Sequence, residues 1–279
     1  MTAILGAPFL FAALVDDAGL FPPAELTMKA ALDRHRGDEA RGNPVLTGRF
    51  VCPVRRVDEL LASLGRDDRL ELALVAPLEK ATLETALASL AADWRVELAG
   101  VEGVLGDAGL SGLPVLSPSV ACSVEVPLSG DWPGLLASIA AAGHRAKVRC
   151  GGARPELFPT AGELGDFVHR CAALDVPFKA TAGLHHALPY RDEDTGFSHH
   201  GFLNLLLAAC RAASGASSAE VTEVLGVTDP PALVAEAEAV PADRAREGRA
   251  LFASYGSCST SEPIEDLAAL GLVEAPVHS

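Results

Sequence analysis

The sequence predicts an α/β protein of the (β/α)8 class, similar to a TIM barrel, and three observations support this prediction. Strand-like and helix-like segments alternate at intervals of roughly 25 to 30 residues, the length of one strand plus its helix. Eight strand candidates fit the alternation, and a chain of 279 residues has the length that this fold needs. No GxGxxG motif follows the first strand candidate, which argues against an open doubly wound sheet.

The strand candidates are short, mostly apolar stretches, several of which alternate in polarity. In chain order they are FLFAALVDD (9–17), GRFVCPV (48–54), RLELALVAP (69–77), WRVELAGVE (94–102), VACSVEVPL (120–128), RAKVRCGG (145–152), PFKATAGLH (177–185) and LFASYGSCS (251–259).

Helical periodicity occupies most of the intervals between these strands. The helix candidates are PAELTMKAALDRH (23–35), VDELLASLG (57–65), LEKATLETALASLAA (78–92), WPGLLASIAAAG (132–143), AGELGDFVHRCAALD (161–175), GFLNLLLAACRAA (201–213) and EPIEDLAALGL (262–272). Residues 100–112 place a glycine at every third position and predict a turn-rich loop. We expect one domain over residues 1–279, with a lid or side layer inserted at about 187–249.

Composition limits the range of partners. Hydrophobic residues make up 49% of the chain and charged residues 21%, which is enough for a large core. The formal net charge of −15 argues against nucleic acid or an anionic membrane as the main partner. Six scattered cysteines without a CxxC pair or a secretory signal predict reduced thiols and a cytoplasmic protein. We expect a small anionic metabolite as the partner, and self-association into a homo-oligomer stays open.

Cationic side chains occupy two strands that otherwise resemble core. Because side chains alternate along a strand, Lys147 and Arg149 share the inward face of one strand, and Lys179 and Thr181 share that of the next. Both strands run into glycine, at Gly151, Gly152 and Gly183, where a ligand can approach the backbone. Crowded cations at this end of a barrel either bind an anionic substrate or depress the pKa of one lysine.

Acidic side chains share the same inward faces. The alternation predicts Glu125 inward on the fifth strand and Asp16 or Asp17 at the end of the first. Glu71 and Glu97 also alternate with apolar neighbours, and for these a structural ion pair is the favoured interpretation.

A glycine- and serine-rich turn follows the last strand candidate, in SYGSCSTSEP (254–263). Such a turn at a helix start is suited to holding phosphate or carboxylate, and a simple helix cap explains it equally well. The residues concerned are Gly256, Ser257, Cys258 and Ser259.

Histidines border an acidic loop. His185 and His186 end the seventh strand candidate, and His199 and His200 precede the next helix, with Asp192 between the pairs. One histidine could act as a general acid or base, or His186, His199 and His200 could bind a divalent metal. Neither HExxH nor HxH is present.

Two resemblances follow from these motifs. The set DDAGLFPPA, KVRCGG, FKATAGLHH, HGFLN and YGSCSTSEP resembles a bacterial family of uncharacterised proteins, and that resemblance implies no activity. KV followed by FKATAG is similar to two strands of class I deoxyribose-phosphate aldolases, whose Schiff-base lysine stands in a K-x-[ST]-x-G context. The resemblance gives that role to Lys179, with Lys147 as the upstream lysine. RCGG and GLHH depart from the aldolase pattern.

We therefore expect an enzyme that acts on an anionic carbonyl compound, first of all a lyase of aldolase type that uses a Schiff-base lysine. No cofactor is predicted. One alternative is a barrel isomerase, lyase or hydrolase dependent on Zn²⁺ or Mn²⁺, and another is a non-catalytic metabolite-binding protein. The predicted catalytic residues are Lys179, Lys147, Arg149, His185, Glu125 and Asp17. The predicted anion-binding residues are Gly151, Gly152, Thr181, Gly183, Gly256, Ser257, Cys258 and Ser259.

Overall fold

Eight parallel strands close into a barrel in the computed structural model, which describes residues 7–275. Its strands are β1 (Val15–Asp17), β2 (Leu46–Pro53), β3 (Leu70–Val75), β4 (Val96–Gly103), β5 (Ala121–Glu125), β6 (Arg145–Arg149), β7 (Phe178–Thr181) and β10 (Phe252–Ser257); β8 (Tyr190–Arg191) and β9 (Ser198–His199) form a separate hairpin. Strand β10 lies between β7 and β1 and completes the ring. The predicted (β/α)8 class is confirmed. Residues 1–6 and 276–279 of the predicted domain lie outside the described residues.

Helices surround the barrel in the order that the sequence predicts. They are α1 (Ala7–Leu10), α2 (Met28–Arg41), α3 (Val57–Ser63), α4 (Lys80–Ala91), α5 (Trp132–Ala141), α6 (Ala161–Ala173), α7 (Phe202–Ala213), α8 (Ser218–Leu225), α9 (Pro230–Ala239), α10 (Ala242–Leu251) and α11 (Glu262–Ala269). Capping side chains fix several starts: Thr160 and Glu163 form a reciprocal capping box at α6. Residues 104–120 contain a 3-10 turn at Gly109–Gly112 and no α-helix, so the predicted loop is confirmed from residue 104 onward, whereas its first residues, 100–103, belong to β4.

The first strand is shorter than predicted. Its expected first half, from Phe9, contains the end of α1, and Ala13 adopts a φ of +49° in the turn before β1. Arg249 donates to the carbonyl oxygens of Ala12 and Ala13 and holds this turn against the last barrel strand. The strand prediction is therefore wrong for residues 9–14, because apolar composition alone does not separate a short buried helix from a strand.

Side chains alternate between two environments along the barrel strands. The outward set packs against the helices and is fully buried; it includes Phe50, Leu72, Val124, Val148 and Phe178. The inward set contains charged residues, among them Asp16, Glu102, Lys147 and Lys179. Hydrophobic burial between strands and helices thus stabilises the ring, while its interior is polar.

The insertion between β7 and β10 contributes mainly a side layer. Helix α7 packs against α8 and α10, and α8 packs against α6 on the outside of the ring. Asn204 of α7 donates to the carbonyl oxygens of Val224 and Val227 and so caps the end of α8. The β8–β9 hairpin reaches the mouth formed by the carboxyl ends of the strands, where His199 contacts the Gly183 carbonyl oxygen at 2.9 Å.

All six cysteines are free thiols, as the sequence predicts. In the described range, 7–275, none of the helices is both long and apolar enough to cross a bilayer.

Candidate functional site

The chain contains four lysines, and two of them lie inside the barrel. Lys29 and Lys80 are exposed on helices. Lys147 and Lys179 are buried and point into the barrel from the neighbouring strands β6 and β7. The two interior lysines are paired in register on adjacent strands. Such burial of two ammonium groups requires compensating acids.

Lys179 is held between two carboxylates from distant parts of the chain. Its Nζ donates to Asp16 Oδ2 of β1 at 2.7 Å and to Glu102 Oε1 of β4 at 2.7 Å. Asp16 also accepts hydrogen bonds from Ser254 at Oδ2 and from Thr47 at Oδ1, each at 2.8 Å. These contacts fix the Asp16 carboxylate rigidly against the lysine.

Glu102 joins the two lysines. Its Oε1 contacts Lys179, and its Oε2 lies 2.9 Å from Lys147 Nζ. Lys147 Nζ also lies 3.7 Å from Glu125 Oε2, and Glu125 Oε1 accepts from Arg149 Nε at 3.1 Å. We call this set the ion chain: Asp16, Lys179, Glu102, Lys147, Glu125 and Arg149. It alternates in sign, with three acids and three cations.

The ion chain shifts the pKa values of Glu102 and Lys179 toward their charged forms. Burial alone would raise the pKa of Glu102, but the Lys147 and Lys179 ammonium groups outweigh it and lower the pKa to about 2. Burial alone would lower the pKa of Lys179, but Asp16 and Glu102 outweigh it and raise the pKa. The expectation that neighbouring cations depress the pKa of Lys179 is therefore wrong, because each cation contacts an acid.

Asp17 is not the acid of this site, and that prediction is also wrong. Its carboxylate contacts Arg34, and its Oδ2 lies 3.3 Å from His35 Nδ1 of α2, so it faces the helix layer. Asp16 is the interior residue of β1. The sequence did not decide which of the two acids points inward, because β1 has only three residues and its alternation is too short to set the two faces.

Glu102 is the central residue that alternation alone does not find. From Glu97, strict alternation places Glu102 on the outward face. The register of β4 against β3 shifts between Leu98 and Gly100, and this irregularity returns Glu102 to the interior. The adjacent small residues Ala99 and Gly100 are the only feature of the sequence that indicates this irregularity.

The exposed end of the ion chain lies at the barrel mouth. The Arg149 side chain is 37% exposed and that of Glu125 is 15% exposed, in contrast to the buried lysines. Thr181 pairs in register with Arg149 on one side and with Gly256 on the other. Arg149 is thus the cation of the chain most accessible to an incoming anion.

The glycines at the mouth have different roles. A Cβ on Gly183, whose φ is +72°, would lie 2.5 Å from the Cys150 carbonyl oxygen, and one on Gly151 would lie 2.7 Å from Gly183 Cα. A Cβ on Gly152 would meet Leu157 at 2.4 Å. These three glycines therefore permit close packing of the chain against itself. Gly256 has only ordinary contacts, the nearest 3.5 Å from its Cβ position, and leaves room beside Thr181.

His185 lies beyond the end of β7 and is not brought to the lysines. Its Nδ1 is 3.7 Å from Cys258 Sγ, and its ring lies 5.9 Å from that of His199. Burial and the two neighbouring histidines, His199 and His186, lower the pKa of His185. Burial and Glu262 raise the pKa of Cys258, so this pair favours a neutral imidazole beside a neutral thiol.

The turn after β10 serves first as a helix start. Ser259 Oγ accepts from the Glu262 backbone N–H at 3.2 Å, and Ser259 N donates to Ser257 Oγ. The Cys258 carbonyl oxygen accepts from Arg34 at 2.7 Å. Anion binding by residues 256–259 stays a prediction.

The histidines proposed as metal ligands do not converge. His186 Nδ1 lies 3.1 Å from Asp266, His199 Nδ1 contacts the Gly183 carbonyl oxygen, and His200 Nε2 contacts that of Pro159 at 2.7 Å. Residues 7–275 contain no group of three or more His, Cys, Asp or Glu side chains arranged for a metal. The structure therefore does not form the donor set of the metal alternative.

Comparison with known proteins finds no matching family model, curated protein or solved structure. Both motif resemblances stay predictions.

Proposed function

We propose that this barrel is a lyase of aldolase type, which acts on a small carbonyl compound with an anionic group through a Schiff base on an interior lysine. The observation that carries the proposal is the sharing of one buried carboxylate, Glu102, by Lys147 and Lys179. Schiff-base formation needs a lysine amine and a group beside it that accepts and donates protons, and Glu102 is in contact with both lysines. The interiors of TIM barrels are usually dominated by bulky branched apolar residues, so the charged interior of this barrel is unusual.

The energetic cost of the ion chain also supports a chemical role. Buried ion pairs contribute little net stability, and apolar residues of similar volume are often as good or better. Here the polar set extends from fully buried Asp16 to half-exposed Arg149. Its carboxylates and lysines, from Asp16 to Glu125, can relay protons between the interior and the mouth.

The first step requires a neutral amine. Lys179 is charged at rest, and we propose that it gives its proton to Asp16 or Glu102 when the substrate enters, since both carboxylates are 2.7 Å away. The free electron pair on Nζ then attacks the carbonyl carbon, and the oxygen takes a proton to form the carbinolamine. Loss of water, with a carboxylic acid as proton donor, gives the iminium ion.

Carbon–carbon cleavage then follows from the electron-withdrawing iminium. A carboxylate removes the proton of the hydroxyl group on the β carbon, the bond between the α and β carbons breaks, and its electron pair forms the enamine. Protonation of the α carbon and hydrolysis release the second product. Glu102 and Glu125 are the candidate bases because both contact Lys147. Lys147 is the alternative nucleophile.

We assign the binding of the substrate's anionic group to the barrel mouth. Arg149 is half-exposed and retains nitrogen donors beyond the Nε that binds Glu125. Gly256, whose Cβ position has no neighbour nearer than 3.5 Å, lies beside Thr181, the register partner of Arg149. A carboxylate or phosphate held there would place a carbonyl group deeper in the barrel, toward the lysines.

The complete pairing of the lysines favours one other candidate, a non-catalytic protein that binds the same anionic metabolite. In that case the ligand stabilises the fold without turnover.

Borohydride reduction in the presence of a panel of phosphorylated and carboxylated aldehydes and ketones tests the proposal, with intact mass as the readout. The lyase predicts a covalent adduct with at least one compound. Thermal stabilisation by a compound that gives neither adduct nor cleavage would support the binding protein and overturn the lyase.

A further inference from the structure

We propose that the substrate is a short aliphatic keto acid, and that an apolar surface on one side of the barrel interior binds its alkyl end. This inference rests on the proposed function and specifies its substrate class. The surface is formed by β2, β3 and the residue after β1, and its side chains pack against Phe21 of the following loop. We call it the apolar wall: Ala18, Val51, Ala73 and Val75.

The apolar wall faces the barrel interior and not the helices. Val51 and Ala73 are register partners on β2 and β3. Along these strands they alternate with Phe50 and Leu72, which belong to the core between strands and helices. Phe50 and Leu72 are 0% exposed, whereas Val51 is 4% and Ala73 is 5% exposed. The wall therefore borders solvent-accessible space inside the ring, which its outward neighbours do not reach.

Both edges of the apolar wall adjoin the candidate functional site. Val75 of β3 is the register partner of Glu102 on β4. At the other edge, the Cβ of Ala18 lies 3.5 Å from the Cβ position of Gly256 on β10. The wall and the ion chain are thus two sides of one interior, and a substrate that contacts one lies next to the other.

The order of the strands sets the orientation of the substrate. Strand β2 lies four strands from β6 in both directions around the ring, so Val51 and Arg149 come from opposite sides of the barrel. A carboxylate fits the planar guanidinium group of Arg149, and the rest of the molecule then extends toward the apolar wall. The interior of an eight-stranded barrel has room for one small ligand, so the alkyl chain is short.

The chemistry of the apolar wall disfavours a sugar-like end. Alanine and valine side chains offer no hydrogen-bond partner, so a hydroxyl group placed against them loses its water without compensation. A methyl or methylene group gains free energy from the same contact. The hydroxyl group that cleavage requires is the exception, because its proton is taken by a carboxylate of the ion chain. A short aliphatic hydroxy keto acid suits both sides of the interior.

Titration calorimetry on the full chain with α-ketobutyrate, hydroxypyruvate and α-ketovalerate tests the inference. The first two compounds have the same shape and differ only in a methyl or a hydroxyl group at the end remote from the carboxylate. None of the three has a hydroxyl group on the β carbon, so none is cleaved. We expect α-ketobutyrate to bind at least about fivefold more tightly than hydroxypyruvate. We expect α-ketovalerate to bind at least about threefold more tightly than α-ketobutyrate, since it buries one more methylene group.

Val75→Thr replaces one methyl group of the apolar wall by a hydroxyl group at a half-buried position, so the variant should fold. It should reduce the preference for α-ketobutyrate over hydroxypyruvate at least about threefold. Val96→Thr is the matched control, because it makes the same change at a half-buried position at the amino end of β4, and it should leave the preference unchanged. Equal affinity for the two compounds, no binding of all three, or equal changes in both variants would each overturn the inference.

Borohydride trapping with the same compounds separates this inference from the proposed lyase. Adducts that form as readily with hydroxypyruvate as with α-ketobutyrate would overturn the substrate class and leave the Schiff base intact. A preference for α-ketobutyrate in binding, without any adduct, would overturn the lyase and leave the apolar wall as a binding surface.

Discussion

Glu102 accepts a hydrogen bond from Lys179 at 2.7 Å that crosses the barrel interior from β4 to β7. Strands β5 and β6 lie between these two in the ring, so the contact spans the curved inner face of four neighbouring strands. The same carboxylate binds Lys147 with its other oxygen. Removal of its charge would therefore leave two lysines short of one acid.

Glu102→Gln is expected to destabilise the protein by about 3 to 5 kcal/mol, because it leaves buried cations uncompensated. Adding Lys147→Met removes one of them and leaves Asp16 paired with Lys179. The double variant should regain part of the loss, which urea unfolding of the wild type and both variants measures. A double variant no more stable than Glu102→Gln would contradict the charge balance of the ion chain.

Stability should depend on pH through the same groups. The pKa of Glu102 is lowered, so its contribution is fully present above its ordinary value of 4.5 and declines as pH falls toward 2. The pKa of Lys179 is raised, so its contribution is present below 10.5 and is lost as pH rises through the raised value. Unfolding free energy between about pH 5 and pH 3 should fall less steeply in Glu102→Gln/Lys147→Met than in the wild type. Equal slopes would show that Glu102 is not held ionised by its lysines.

Asp16 and Asp17 offer a matched pair of adjacent acids. Asp16→Asn should lower the rate of adduct formation by about 10-fold or more, because it removes one of the two carboxylates that can accept the proton of Lys179. Asp17→Asn weakens the contacts with Arg34 and His35 and should cost about 1 to 3 kcal/mol of stability, while the trapping rate stays close to that of the wild type. If Asp17→Asn slowed trapping more than Asp16→Asn, the reacting acid would lie on the outward face of β1, and this would contradict the proposal.

Gly183 and Gly256 should differ in their tolerance of alanine. Gly183→Ala adds a Cβ 2.5 Å from a backbone oxygen at a φ of +72°, and we expect a loss of about 2 kcal/mol or more. Gly256→Ala meets only contacts of 3.5 Å and longer and should change stability by less than about 1 kcal/mol. Thermal melts of both variants measure the difference. Similar losses would mean that Gly256, too, is required for packing.

Sequence patterns predict the barrel and the inward direction of Lys147, Arg149 and Lys179, because alternation holds along regular strands. Among the acids that neutralise these cations, they predict Glu125, leave the choice between Asp16 and Asp17 open, and do not predict Glu102. Asp16 is 163 residues from Lys179 in the chain. The register shift in β4 puts Glu102 on the inward face, opposite to the face that strict alternation predicts. Strand pairing and register irregularities of this kind are properties of the closed ring.

Peptide mapping of the borohydride-trapped protein tests the central claim most directly. Lys29 and Lys80 serve as internal controls, since they are exposed and carry only helix-surface ion pairs. The account predicts that a carbonyl substrate labels Lys179 or Lys147, that Lys179→Arg or Lys147→Arg removes this label, and that the surface lysines stay unmodified. Adducts confined to Lys29 and Lys80, or none across the panel, would contradict it.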